Sequence, residues 1–205
     1  LMSEPSPESR NPNHPQKGSS IKVEPIRDLK AVKRIKMILA DNPRDLCLFT
    51  LGINTAYRAN ELLSIAVGQL DYFQPGGRLD LKQSKNKKYR AITLNPMVIN
   101  SIDRWLKVHP DSDPDAPLFP SRTDGMALRV STLSRMVKDW CASVGLRGNY
   151  ASHTLRNTWG YHQRRTYDRP TTLLTIAYGH GSEAQTLEYL CIQPEEIDEL
   201  FASEL

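Results

Sequence analysis

Four side chains between positions 153 and 189 have the types and spacing that displacement at a phosphodiester requires: His153, Arg156, His180 and Tyr189. The first two stand three residues apart, so one helical turn aims both the same way. Between His180 and Tyr189, Ser182 and Gln185 have capping-box spacing, which predicts a helix starting at Ser182 with Tyr189 about two turns along it. A phosphodiester under attack gathers negative charge on its non-bridging oxygens, and that charge is stabilised by arginine forks and histidine donors. A phenol hydroxyl can attack phosphorus in line and divide one hard step into two easier ones. Its ordinary pKa near 10 means it needs a base or cationic neighbours. Each fragment alone also has a plainer reading, since His-x-x-Arg is often a surface pair and Gly179-His180 is often a turn.

The elements that must position these groups can be read in order. Residues 1–24 carry Pro5, Pro7, Pro12 and Pro15 among Ser, Asn and Glu without apolar periodicity, and are expected to form a disordered segment or linker. From Asp28 to Ala40, Leu29, Val32, Ile35 and Ile38 or Leu39 share one helical face, with lysines and Arg34 around it. Asn42-Pro43 and Asn95-Pro96 are helix starts, Asn capping and Pro taking the first position. Residues 46–53 form an apolar run expected to be buried. Arg58 then falls at a helix junction with Glu61 three residues on, a spacing that by itself suits a structural salt bridge. Residues 78–94 alternate as a β-hairpin tipped by Lys85-Asn86-Lys87-Lys88. A basic tip of this kind is either solvated charge or a reach into a groove, where an ammonium can protonate a leaving oxygen. Helix 131–144 turns Leu133, Met136, Val137, Trp140 and Val144 inward and ends at Gly145. Shorter helices are expected near 154–166 and 171–178. From Pro194, Ile197, Leu200 and Phe201 share one face of a short acidic amphipathic piece able to dock on its own body or on a neighbour.

Net charge is +4 over 205 residues. Residues 194–205 hold five acids and no Lys or Arg, which leaves +9 on the rest. A basic body with an acidic end suits an anionic partner such as nucleic acid. Cys47, Cys141 and Cys191 lie far apart and indicate neither a disulfide framework nor a zinc knuckle, and Cys141 falls in an apolar stripe as a core thiol. Asp111, Asp113 and Asp115 begin like a calcium loop, but Ala116 and Arg122 stand where Gly and Glu are needed, so no metal is assigned. No stretch is long and apolar enough to span a bilayer and no signal peptide is visible, so the expectation is a cytoplasmic protein without membrane contact.

Taken together and in order, Arg58, Lys85, His153, Arg156, His180 and Tyr189 resemble the tyrosine recombinase (phage integrase) family over residues 25–193. The local frames agree: Glu61-Leu62-Leu63 after Arg58, the strand Arg90-Ala91-Ile92-Thr93-Leu94 after Lys85, the His-x-Leu-Arg group, and Leu118-Phe119-Pro120 ahead of a basic helix. The resemblance implies a mainly α fold with a small antiparallel β-hairpin (α+β), the catalytic core of DNA breaking-rejoining enzymes. It implies that Arg58 and Arg156 grip the scissile phosphate, that His153 and His180 hydrogen-bond to it, and that His153 can take the tyrosine proton. Lys85 would protonate the leaving 5′-hydroxyl. Lys87 and Lys88 compete for that role, and counting back from the return strand favours Lys85. Tyr189 would hold a 3′-phosphotyrosine, and Glu61 would support the cationic side chains. Lys87, Lys88, Arg90, Arg129, Arg135 and Lys138 become DNA contacts, the last three on a helix resembling the family's major-groove helix. Expected partners are double-stranded DNA and further copies of the chain, as a tetramer on DNA, with no metal or nucleotide cofactor. Two other readings share the resemblance: a DNA-binding regulator of weak activity, and a type IB topoisomerase-like nicking-closing enzyme.

The chain departs from the family at Ala56 and Gly181, where Gly and Ser are frequent, and at Tyr178, where Leu is common. The family's helical N-terminal clamp domain has no counterpart here. The expectation is therefore a catalytic domain, or a short member akin to fimbrial phase-switch invertases, that binds DNA weakly and in a salt-sensitive way.

Overall fold

A computed structural model describes residues 22–70, 78–82, 89–190, 192 and 194–202. The expected tail over residues 1–21 and the hairpin tip that carries Lys85, Lys87 and Lys88 lie outside the described residues.

Helix α1 spans Leu29–Ile38, and Asp28 starts it by accepting from the Lys30 N–H at 2.7 Å. Its inward stripe runs through Ala31, Val32, Ile35 and Leu39. The choice left between Ile38 and Leu39 falls to Leu39, and the expected face is corrected only at its start, since Leu29 and Ile38 are 43% and 50% exposed. These two fall at the edges of the stripe that meets α2 and α5, and Leu29 opens instead onto a groove beside Lys33 and Lys36.

Helix α2 (Pro43–Thr55) is the central post. It is buried along most of its length and packs on α4 (Pro96–Leu106) and α6 (His153–Arg165). Asn42 and Asn95 cap α2 and α4 as the Asn-Pro pairs predict. Cys47 lies within this core, where burial pushes its thiol up to about 12. A short helix α3 (Ala59–Leu63) follows, then strands β1 (Arg78–Lys82) and β2 (Tyr89–Thr93), paired antiparallel with Leu79 opposite Ile92. The Tyr57 hydroxyl donates to the Leu79 carbonyl at 3.1 Å, tying the base of the hairpin to the residue before Arg58. In the proline-rich loop, Asp111 and Asp113 accept from the backbone N–H two residues on, so both carboxylates serve turns.

Helix α5 (Val130–Ser143) buries Leu133, Val137, Trp140 and Cys141. After α6 come α7 (Thr171–Tyr178), α8 (Glu183–Leu190) and α9 (Pro194–Phe201). Most apolar side chains form one core. A second, small cluster of Ala56, Leu174, Tyr178 and Leu190, with Trp159 and Tyr189 against it, lies where α6, α7 and α8 meet.

The N-terminal boundary falls earlier than composition suggests, because residues 22–26 strap across α6. Glu24 N–H donates to Asn149 O, Asn157 Nδ2 to Val23 O, and Ile26 N–H to Thr158 Oγ1. Pairing of those backbone groups holds down a stretch that has little apolar content of its own. The C-terminal α9 docks on α6 of its own chain through charge. Arg164 meets Glu196 in a two-pronged pair at 2.5 and 2.9 Å, and Arg165 meets Glu199 at 2.9 Å. Its apolar side, Ile197, Leu200 and Phe201, remains 45%, 69% and 85% exposed.

Candidate active site

The site grows from the end of α2. Ala56 terminates that helix in the left-handed region, at φ 55°. Glycine takes this conformation without strain, and an alanine there costs about 1 kcal/mol. The turn places Arg58 at the start of α3. Glu61, 3% exposed, holds it twice: Oε2 accepts the Arg58 backbone N–H at 2.8 Å and Oε1 accepts Nη1 at 3.0 Å. The spacing read as a structural pair is one, and the same pair aims a guanidinium.

Arg156 enters from α6 and is 1% exposed. Its Nη1 donates to the Ala56 carbonyl, and its Nη2 donates to the Tyr178 carbonyl at 3.1 Å. Nη2 also lies 3.1 Å from His180 Nε2. The left-handed turn that launches Arg58 therefore supplies an acceptor for Arg156. His153 sits one turn earlier at the start of α6, with an exposed face. Partial burial first, then the positive charges of Arg156 and Arg58, hold its imidazole below the ordinary histidine value. A lowered value favours the neutral ring, whose lone pair can accept a proton.

Tyr189 lies on α8, which Ser182 begins by accepting the Gln185 N–H at 3.3 Å. The reciprocal half of the predicted capping box differs, because the Gln185 side chain reaches Gly181 N–H rather than Ser182. The Tyr189 ring is 4.8 Å from His180, 6.3 Å from His153 and 5.6 Å from Tyr178, centroid to centroid. The Arg156 guanidinium carbon is 5.3 Å from its centroid. A cleft of about 330 Å³ opens beside it, lined by Lys22, Val23, His153, Asn157, Glu188 and Tyr189. The structure thus brings His153, Arg156, His180 and Tyr189 together, and Arg58 follows two residues after the Ala56 carbonyl that Arg156 holds. Lys85 lies outside the described residues, and Arg90 occupies β2 opposite Leu81. Arg129 precedes α5 as its cap residue, and Arg135 and Lys138 project from that helix; all three are exposed.

In the sequence Tyr178 stands out only as a departure from the family's common Leu. It is fully buried, and it also forms the floor of the site. His180 stacks on its ring at 4.9 Å with planes 7° apart, Arg156 lies 4.4 Å over the centroid, and its hydroxyl donates to the Arg156 carbonyl. The floor fits because residue 160 is glycine: a Cβ there would stand 1.8 Å from the Tyr178 oxygen. A glycine inside a helical pattern is the sequence signal for such a close approach. Gly179, at φ 66°, ends α7 and turns the chain so that His180 comes back over this floor. Also unread from sequence were Thr175 and Thr186, the polar partners on the far side of His180.

A family model described as Phage integrase family matches residues 28–196. Among curated proteins, the chain is 32% identical over 176 residues to a probable integrase/recombinase, YoeC, of Bacillus subtilis, covering 84% of this chain and 92% of that one. It is 25% identical over 169 residues to the tyrosine recombinase XerA of Pyrococcus horikoshii, covering 82% of this chain and 57% of that protein. Among solved structures, the XerH site-specific recombinase bound to palindromic difH substrate, in a post-cleavage complex, superposes with a TM-score of 0.72 at 20% identity, over 91% of this chain and 54% of that one. The fold is therefore the one these recombinases share, and the chain spans just over half the length of XerA and XerH.

Proposed function

The chain belongs to the phage integrase family, with the fold of the tyrosine recombinases, and from that premise we propose that it is a site-specific DNA recombinase that cuts and rejoins strands through a 3′-phosphotyrosine. The observation that carries the reading is the gathering of Tyr189, His180 and Arg156 over one aromatic floor, with His153 beside them. In the first step the Tyr189 oxygen attacks phosphorus, its proton passes to His153, and the bond from phosphorus to the 5′-oxygen breaks. Lys85 gives the leaving oxygen its proton. Arg58 and Arg156 hold the charge that develops on the non-bridging oxygens. The ester bond is kept as a tyrosyl phosphate, so a 5′-hydroxyl of another strand can reverse the step without an external energy source. Positioning and charge stabilisation do most of the work in phosphoryl transfer, and this site offers both.

Residues 25–193 would form the catalytic unit, with double-stranded DNA gripped along α5 by Arg129, Arg135 and Lys138 and at the hairpin by Lys87, Lys88 and Arg90. The acidic α9, whose apolar side is exposed, would join copies of the chain into a tetramer on DNA. Two duplexes exchanging strands present four scissile phosphates, so four such sites must assemble. The test is a nicked duplex that traps the intermediate. The wild-type chain is expected to give a covalent protein–DNA adduct and Tyr189→Phe none. An adduct that survives in the variant removes Tyr189 from the role.

A further inference from the structure

His180 can donate to a phosphate only through a ring nitrogen that carries a proton, and its surroundings dictate which nitrogen does. Nε2 faces Arg156 Nη2 at 3.1 Å. A guanidinium has donors only, so Nε2 accepts and the proton of the neutral ring belongs on Nδ1. The other side of the ring gives the same answer independently. Nδ1 lies 3.0 Å from Thr186 Oγ1, which lies 2.8 Å from Thr175 Oγ1, which lies 2.9 Å from the Thr171 carbonyl. A carbonyl only accepts, so Thr175 donates to it, Thr186 donates to Thr175, and Nδ1–H donates to Thr186. Thr186 is fully buried, so its hydroxyl direction is set by these partners. A weaker contact from Thr186 to the Ser182 carbonyl at 3.3 Å leaves the direction at Nδ1 unchanged.

We propose that Thr186, backed by Thr175, is a positioning residue that holds His180 as the Nδ1–H tautomer and locks the nucleophile helix to α7. The two threonines join α8 to α7, and Thr186 stands one turn before Tyr189 on α8. A change at Thr186 thus reaches both His180 and the nucleophile. The tautomer has a chemical use. With Nδ1–H held by Thr186, Nε2 is the nitrogen that faces Arg156 and the reacting centre. It accepts from Arg156 while the ring is neutral, a second proton taken from solvent makes Nε2 a donor to a phosphate oxygen, and Thr186 accepts from Nδ1–H in both states. Among the described residues, Arg156 from α6, Tyr178 beneath it from α7 and Tyr189 from α8 face the ring. The inference rests on the reading of His180 as a phosphate-facing group.

The test labels histidine ring nitrogens in the full chain with 15N and assigns His180 by its loss in His180→Asn. The wild-type ring is expected to show a protonated Nδ1 and a bare Nε2. Thr186→Val, close to isosteric, should shift His180 toward the Nε2–H form and slow single-turnover cleavage of a nicked duplex about tenfold, as loss of one buried hydrogen bond implies. DNA affinity should stay unchanged. Thr186→Ser should restore both the tautomer and the rate. A protonated Nε2 in the wild-type chain overturns the proposal. So does a tautomer or cleavage rate in Thr186→Val that matches wild type. Normal cleavage by His180→Asn would instead sink the role given to His180, while the tautomer spectrum would still decide what Thr186 does.

Discussion

Near the start of α6, Arg156 is 1% exposed and its donors go to the Ala56 and Tyr178 carbonyls and His180, with an aromatic ring against its face. About two turns along the same helix, Arg164 and Arg165 meet Glu196 and Glu199 with side chains 19% and 46% exposed. One residue type on one helix does two different jobs. The buried arginine is bonded to main chain contributed by two other segments, so its position is part of the fold. The outer pair holds α9 by ion pairs, of which Arg165–Glu199 is open to water and of a kind that contributes about 0–1 kcal/mol. The first arrangement suits a group that must not move during chemistry. The second suits a segment that can exchange partners.

The contrast can be tested hardest at Arg156. Arg156→Ala is expected to slow single-turnover cleavage by about a hundredfold or more, since a charged donor in such a site is worth about 3 kcal/mol. It should also lower the melting temperature, because two buried carbonyls lose a donor. Arg58→Ala should lose as much cleavage and take the guanidinium from the buried Glu61 carboxylate, which keeps the backbone N–H of residue 58. Near-normal cleavage by either variant would remove that residue from the site. Next in size is Gly160→Ala. Its Cβ must displace the Tyr178 hydroxyl, an overpacking cost of about 1–3 kcal/mol readable by denaturant melts, with a matching loss of cleavage as the floor under His180 shifts.

A smaller effect is expected with pH. His153 is held below its ordinary value, so below about pH 6.5 the unfolded chain binds a proton that the native chain refuses. Stability is complete above that pH and falls as pH drops through the native value. Cleavage should fall with it, because a protonated His153 cannot take the tyrosine proton. His162, lowered chiefly by its burial, adds to the stability loss with the same sign. His153→Gln should therefore show a shallower acid loss of stability, and an unchanged slope would sink the assignment. The smallest effect belongs to the outer end of α6. Arg165→Ala should change global stability by about 0.5 kcal/mol or less, while hydrogen exchange in α9 speeds up and rises further with salt. If α9 stays protected in high salt, contacts other than charge hold it.

Much of this was legible residue by residue. The Asn-Pro starts of α2 and α4, the Ser182 start of α8 and the strand alternation are local rules, and local rules survive folding. The inward face of α1 was less legible at its start, because Leu29 has the right hydrophobicity and the wrong angle to α2 and α5. Tyr178 read only as a departure from the family's Leu, because nothing in its own neighbourhood announces a ring stacked on His180. The threonine chain behind His180 was invisible, since Thr175 and Thr186 acquire meaning only once α7 and α8 lie side by side.

The sequence by itself determined the kind of chemistry, because residue type sets charge, donor count and nucleophilicity wherever the chain goes. It also determined which neighbours share a helical turn, because the 3.6-residue period is a backbone property. Only the tertiary structure decided that the Ala56 carbonyl meets Arg156, 100 residues away, and which nitrogen of His180 faces Arg156. Those outcomes depend on how α2 packs on α6 and how α7 and α8 close over them. Packing is a property of surfaces meeting in space, and spacing along the chain does not encode it.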